Sequence, residues 1–172
     1  EPDIWAAVAK ATDGEIAALD LSHSPRQFSF LSSARKIKVL ESIASASTHL
    51  TRIRLDGLGL DNSHAPVLCV ILCRQSTLEL SAERNNLTEL GLLQLADALI
   101  GLEGGHANLV TLAVANQRVA LSTLALTRLL DAMEASPTLT QLKLGQMRDD
   151  SVRKRHQGLT IANVEAKRLR RR

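Results

Sequence analysis

Apolar residues follow two alternating rhythms along this chain. Short stretches of the order L-x-x-L-x-L alternate with longer ones in which apolar residues recur at three- and four-residue steps. The hexads are IAALDL (Ile16–Leu21), LTRIRL (Leu50–Leu55), TLELSA (Thr77–Ala82), LVTLAV (Leu109–Val114) and LTQLKL (Leu139–Leu144), and their starts lie 34, 27, 32 and 30 residues apart. The first rhythm reads as strand and the second as amphipathic helix. Recurrence at such a period marks a stacked repeat, because one strand–helix unit cannot bury its apolar face alone.

The expected fold is therefore α/β, a leucine-rich-repeat solenoid of about five strand–helix units with a curved parallel sheet. Within each hexad, positions one, four and six face the core and positions three and five face the other side. The outward set is Ala18, Asp20, Arg52, Arg54, Glu79, Ser81, Thr111, Ala113, Gln141 and Lys143. It is mixed in charge and nearly free of large apolar groups, so a continuous hydrophobic groove is not expected there. The third unit is irregular: Thr77 and Ala82 take core positions while Leu78 points elsewhere. Helices are expected over Leu31–Ala46, Ser63–Arg74, Thr88–Ile100 and Ser122–Glu134, with Ser63, Thr88 and Ser122 at capping positions. Asn85 falls in the slot after the strand, where an amide can satisfy turn backbone groups.

The ends differ from the middle. Ile4, Trp5, Val8 and Ala9 have helical spacing before Asp13-Gly14, which predicts an N-terminal helical cap (1–14) with Trp5 in its core. The repeats occupy 15–147, and 148–172 forms a basic C-terminal helix or tail with a weak apolar stripe of Leu159, Ile161, Val164 and Leu169. The whole reads as one domain. It starts at Glu1, as a fragment of a longer protein would. GLEGGHA (Gly101–Ala107) reads as a flexible surface loop.

Charge sharpens this division. From Arg148 to Arg172 there are nine Lys/Arg against three Asp/Glu, whereas the rest of the chain is mildly acidic, at −3. Aromatics make up only 2% of the chain, so the core must be aliphatic. No apolar run is long enough to span a membrane. Cys69 and Cys73, at i and i+4, are read as two buried, reduced thiols of an intracellular protein.

The sequence holds no phosphate-binding loop, no dinucleotide fingerprint, no H-E-x-x-H and no G-x-S-x-G. Its histidines (His23, His49, His64, His106 and His156) fall in different repeats without carboxylate clusters. Asp149-Asp150 reads as a helix N-terminal charge pattern. Asn86-Leu87-Thr88 matches a glycosylation sequon of the kind that arises by chance. No catalytic, cofactor-binding or metal-binding residue is therefore assigned, and no cofactor or enzymatic activity is expected. The basic tail could meet an acidic protein surface. Nucleic acid is disfavoured, since the stacking platform of single-stranded binders is missing.

LSAERNNLTELGLLQLADAL (Leu80–Leu99), LVTLAVANQ (Leu109–Gln117), LTQLKLG (Leu139–Gly145) and the basic closing helix together resemble the C-terminal domain of tropomodulin and leiomodin. The likeness covers nearly the whole chain. It includes an E-x-N pattern followed by an aliphatic residue at Glu83, Asn85 and Leu87, the pair Asn116-Gln117, and the basic cluster Arg168–Arg172. GQMRDD (Gly145–Asp150) departs from the family, which has an aromatic-containing segment there, and the Gly101–Ala107 loop is longer than the family's. The resemblance implies a non-catalytic, cytoplasmic, cytoskeleton-associated domain that binds actin, used by tropomodulins in capping the slow-growing pointed end of filaments. On that basis the contact residues would be Arg153, Lys154, Arg155, Lys167, Arg168, Arg170 and Arg171, with Glu83 and Asn116 beside them. The alternative is a leucine-rich-repeat scaffold or targeting domain of a larger protein with a non-actin partner.

Overall fold

The structure is a computed structural model, and it describes residues 3–46, 48–101, 108–136 and 138–170. Five three-residue strands form one parallel sheet in sequence order: β1 (Ala18–Asp20), β2 (Arg52–Arg54), β3 (Glu79–Ser81), β4 (Thr111–Ala113) and β5 (Gln141–Lys143). Each strand lies inside one hexad. The register aligns the fourth hexad position across all of them, as Leu19, Ile53, Leu80, Leu112 and Leu142. That column, with the sixth-position residues Leu21, Leu55, Ala82, Val114 and Leu144, is buried. Thr77 is buried as expected and donates its hydroxyl to Ile71 O at 3.0 Å, while Leu78 lies at the surface. Ala113 corrects the outward set, being only 3% exposed.

The helices are α1 (Ile4–Thr12), α2 (Pro25–Ser29), α3 (Ser33–Ala44), α4 (Ala65–Leu72), α5 (Glu89–Ile100), α6 (Thr123–Ala135) and α7 (Asp150–Leu169). The short α2 is not evident from periodicity; Pro25 starts it, and its Phe28 is fully buried. Helix α1 buries Ile4, Val8 and Ala11, whereas Trp5 is 52% exposed and Ala9 is exposed. The cap's core is thus the aliphatic face and not Trp5, because that face already fills the contact with α3 and β1. The Gly101–Ala107 loop lies, apart from Gly101, outside the described residues.

Helix starts show how the units are stapled together. Ser122 accepts from Ala125 N–H as its position implies. Asp61, not Ser63, caps the 3-10 turn Asn62–His64 that leads into α4. At α5 the cap comes from the preceding unit: Asn62 Oδ1 accepts from Thr88 N–H and Gly91 N–H at 3.0 and 3.2 Å. Thr88 keeps its cap position but its hydroxyl instead accepts from Asn62 Nδ2. A Cβ at Gly91 would stand 2.6 Å from Asn62 Oδ1, so this inter-unit cap requires glycine there.

Cys69 and Cys73 are free thiols, half-buried and not buried, Cys69 within α4 and Cys73 at its C-terminal cap. Burial pushes the Cys69 thiol up to about 11, with Cys73 adding to the effect. No described helix is long and apolar enough to cross a membrane.

Candidate functional site

Side chains alternate inward and outward along each strand, and on the side of the sheet away from the helices the outward ones line a cleft. This cleft has a volume of about 430 Å³. Its organising group is Asp56, a buried carboxylate just after β2. Asp56 accepts from Ser81 Oγ at 2.5 Å, Glu83 N–H at 2.9 Å and the Arg54 guanidinium at 3.1 Å. Arg54 also reaches Asp20 at 3.4 Å, and Arg52 pairs with Glu79 at 3.5 Å. Hydrogen bonding to Asp56, then the charge of Asp20, holds Arg54 above its ordinary value. The charges of the first three strands are thus committed to each other, and Lys143 stands at the far end of the cleft. Sequence alternation locates Arg52, Arg54 and Glu79 but not Asp56, which lies one residue beyond the hexad.

Just past the strands, two amides tie successive turns. Asn85 accepts from Leu60 N–H and donates to Leu55 O and Glu83 O. Gln117 has the same role in the following unit, accepting from Leu87 N–H and donating to Ala82 O and Val114 O. Each follows a left-handed residue, Arg84 or Asn116. The slot is legible in the sequence at Asn85; at Gln117 a longer amide fills it. Asn116 is exposed and lines a second cleft of about 380 Å³ with Val119, Leu126, Leu144 and Arg148. Glu83 is half-buried at the edge of the first cleft.

The basic C-terminal segment is a helix of 20 residues, capped by Asp149, which accepts from Ser151 and Val152 N–H. Hydrogen bonds from Ser151, its hydroxyl foremost, hold Asp149 below its ordinary value. The apolar stripe expected here does not form. Leu159 packs against the core, but Ile161 and Leu169 are 60% and 69% exposed. The buried residues are Val152 and Asn163. Asn163 Nδ2 donates to Met133 O and Ser136 O, carbonyls that α6 leaves open at its end, and to Leu139 O before β5. His156 Nε2 donates to Leu142 O at 2.8 Å.

Of the basic residues singled out, Arg155 bridges Asp131 and Glu134 at 2.8 and 2.6 Å, and is held above its ordinary value by Glu134 and then Asp131. Arg153 pairs with Asp150 on its own helix. Lys154, Arg168 and Arg170 are exposed, and Lys167 is half-exposed. Arg171 lies outside the described residues. The basic set is therefore split between groups that dock α7 and groups that face solvent, and Asn116 shares its cleft with Arg148 and Asp149 at the start of α7, whereas Glu83 lines the first cleft. No group of three metal-ligating side chains occurs among the described residues.

No family model and no curated protein sequence matches the chain. Solved structures do. A tropomodulin C-terminal domain from Caenorhabditis elegans superposes with a TM-score of 0.82 at 21% identity, covering 99% of this chain and 98% of that one. Leiomodin-1 actin-binding site 2 superposes with a TM-score of 0.83 at 17% identity, covering 99% and 95%. At such identities the likeness concerns the backbone, and it is end to end: this chain has the fold of the tropomodulin and leiomodin C-terminal leucine-rich-repeat domain.

Proposed function

We propose that this chain is a non-catalytic, actin-binding module of the tropomodulin type, and that it acts at filament pointed ends. The observation that carries the reading is the end-to-end match, cap and closing helix included, to a leiomodin segment whose name is an actin-binding site. The geometry is compatible with it. Helix α7 is fixed on the last repeat through Arg155, His156 and Asn163, which leaves Lys154, Lys167, Arg168 and Arg170 to meet an acidic surface. The mechanism is steric: a rigid solenoid seated on terminal subunits blocks their exchange. A cytoplasmic, cytoskeleton-associated location follows from such a partner.

Co-sedimentation with filamentous actin, run beside a monomer-binding assay at two salt concentrations, tests the binding. Salt-resistant binding to either form supports it. Absent binding, or binding that vanishes at moderate salt, overturns it and leaves the scaffold alternative. Capping is tested separately by pyrene-actin depolymerisation from filaments blocked at the fast end, where unchanged rates at micromolar protein exclude it.

A further inference from the structure

Although the body of the chain is acidic overall, its arginines are not spread evenly. One edge of the solenoid holds the segments that leave the strands and enter the helices. Arg26 and Arg35 lie there after β1, Arg84 after β3, Arg118 after β4 and Arg148 after β5. All five are exposed. None forms a salt bridge among the described residues, in contrast to Arg52, Arg54, Arg128, Arg153 and Arg155. In the described segments that lead from a helix back to the next strand the one guanidinium is Arg74, which is turned inward to Ile43 O and Ala46 O. Most acids on the arginine edge are already engaged: Asp61 and Asp149 cap their own turns, and Asp150 holds Arg153. Glu89, exposed at the start of α5, and Glu83, half-buried beside Arg84, are the exceptions. The N-terminal ends of α3, α5, α6 and α7 open on the same edge and add partial positive charge.

Large exposed apolar side chains are interleaved with these arginines. Phe30, Leu90, Val119 and Leu124 all lie on this edge, Phe30 at 88% exposure. Between Val119 and Arg148 opens the cleft of about 380 Å³, floored by Leu126 and Leu144. Backbone bonds from Arg118 N–H to Asn85 O and from Arg84 N–H to Ala115 O hold the two turns that carry Arg84 and Arg118 side by side. A surface for a bare polyanion needs the cations alone. Alternating guanidinium and aliphatic groups match an acidic segment that also carries aliphatic side chains.

We infer that this edge docks an acidic, aliphatic-bearing segment of a partner protein. Its aliphatic residues enter the Val119–Leu126 cleft while its carboxylates meet Arg118 and Arg148. The inference goes beyond the actin reading and does not depend on it, since the basic end of α7 contributes nothing to this edge. The test uses the whole chain and a fluorescent amphipathic peptide of leucine and glutamate, with a leucine–lysine counterpart and heparin as comparisons. Saturable binding of the acidic peptide is expected, weakened on the order of tenfold by Arg118→Glu with Arg148→Glu, and similarly by Val119→Ser with Leu124→Ser. Arg168→Glu with Arg170→Glu should leave it unchanged. All these residues are exposed, so unchanged melting temperatures certify the folds. The inference is overturned if the peptide does not bind, if the tail variant abolishes binding, or if heparin displaces the peptide while the serine variant binds as well as the parent.

Discussion

Between β2 and α6, neighbouring units touch first of all through stacked aliphatic side chains; α7 buries few of these and leans more on hydrogen bonds and ion pairs. The buried column Ile53, Leu80, Leu112 and Leu142 gives each inner unit an apolar neighbour on both sides. Helix α7 buries only Val152 and Asn163, and is positioned by Asn163, His156 and Arg155. Apolar contacts are non-directional and add with area, so the inner units resist opening. A polar dock is directional: it specifies one placement of the helix, and contributes less once its bonds are exchanged for water. The two regions should therefore differ in how easily they open.

The largest effect should come from the inner stack. Leu112→Ala, at a fully buried position, is expected to cost roughly 2–5 kcal/mol in chemical denaturation. A shift well under this range would mean the column is not packed as described. Next is the amide ladder. Asn85→Ala leaves Leu60 N–H and Leu55 O without their partner in a buried turn, an expected loss of about 1–3 kcal/mol.

Asn163→Ala should be of similar size but confined to α7. Native-state hydrogen exchange should speed up along α7 and leave the amides of β2–β4 unchanged. Uniform acceleration would erase the distinction between the regions. Arg155→Ala is smaller, at about 0.2–1 kcal/mol, because more than a third of its side chain meets water; the loss should shrink as salt is added.

The smallest effect is at the cap of α7. Because folding depresses the Asp149 carboxyl, its contribution is complete above the ordinary value of 3.8 and is lost as pH falls through the depressed folded value. The difference in helical circular dichroism between the parent and Asp149→Ala should therefore be present at neutral pH and fade in acid. A difference that grows in acid would contradict the sign.

The repeat is legible in the sequence because its signal is local. Hexad alternation and the helical step are both set within a few residues, and every strand lies inside its hexad. Trp5 is not placed correctly by pattern alone, because helical spacing names a set of residues but not which flank of the helix meets the stack; the aliphatic Ile4–Val8–Ala11 face does. The α7 stripe fails for a related reason. The partners of Asn163 on α7 are carbonyls on α6 and before β5, and no periodicity on α7 reveals an acceptor more than twenty residues away.

The candidate site divides along the same line. Basic residues of the tail are visible as charge, yet the Arg155 pairing with Asp131 and Glu134 is a matter of helix packing. The arginine edge is not apparent in the sequence, because its members lie in segments far apart along the chain and become neighbours only when the units stack.

What the sequence determined by itself is the unit: a short strand, a turn and an amphipathic helix, repeated with an aliphatic core. Local sterics and the side-chain periods of strand and helix are sufficient for that. Only the tertiary structure decided which polar groups are spent within the fold and which remain available. Asp56, Asn62, Gln117, Asn163 and Arg155 are bound across units, while Arg118, Arg148 and Lys154 face solvent. The physical reason is that a hydrogen bond or ion pair between units depends on their relative placement, which the stacked core fixes after the pattern of each unit is set.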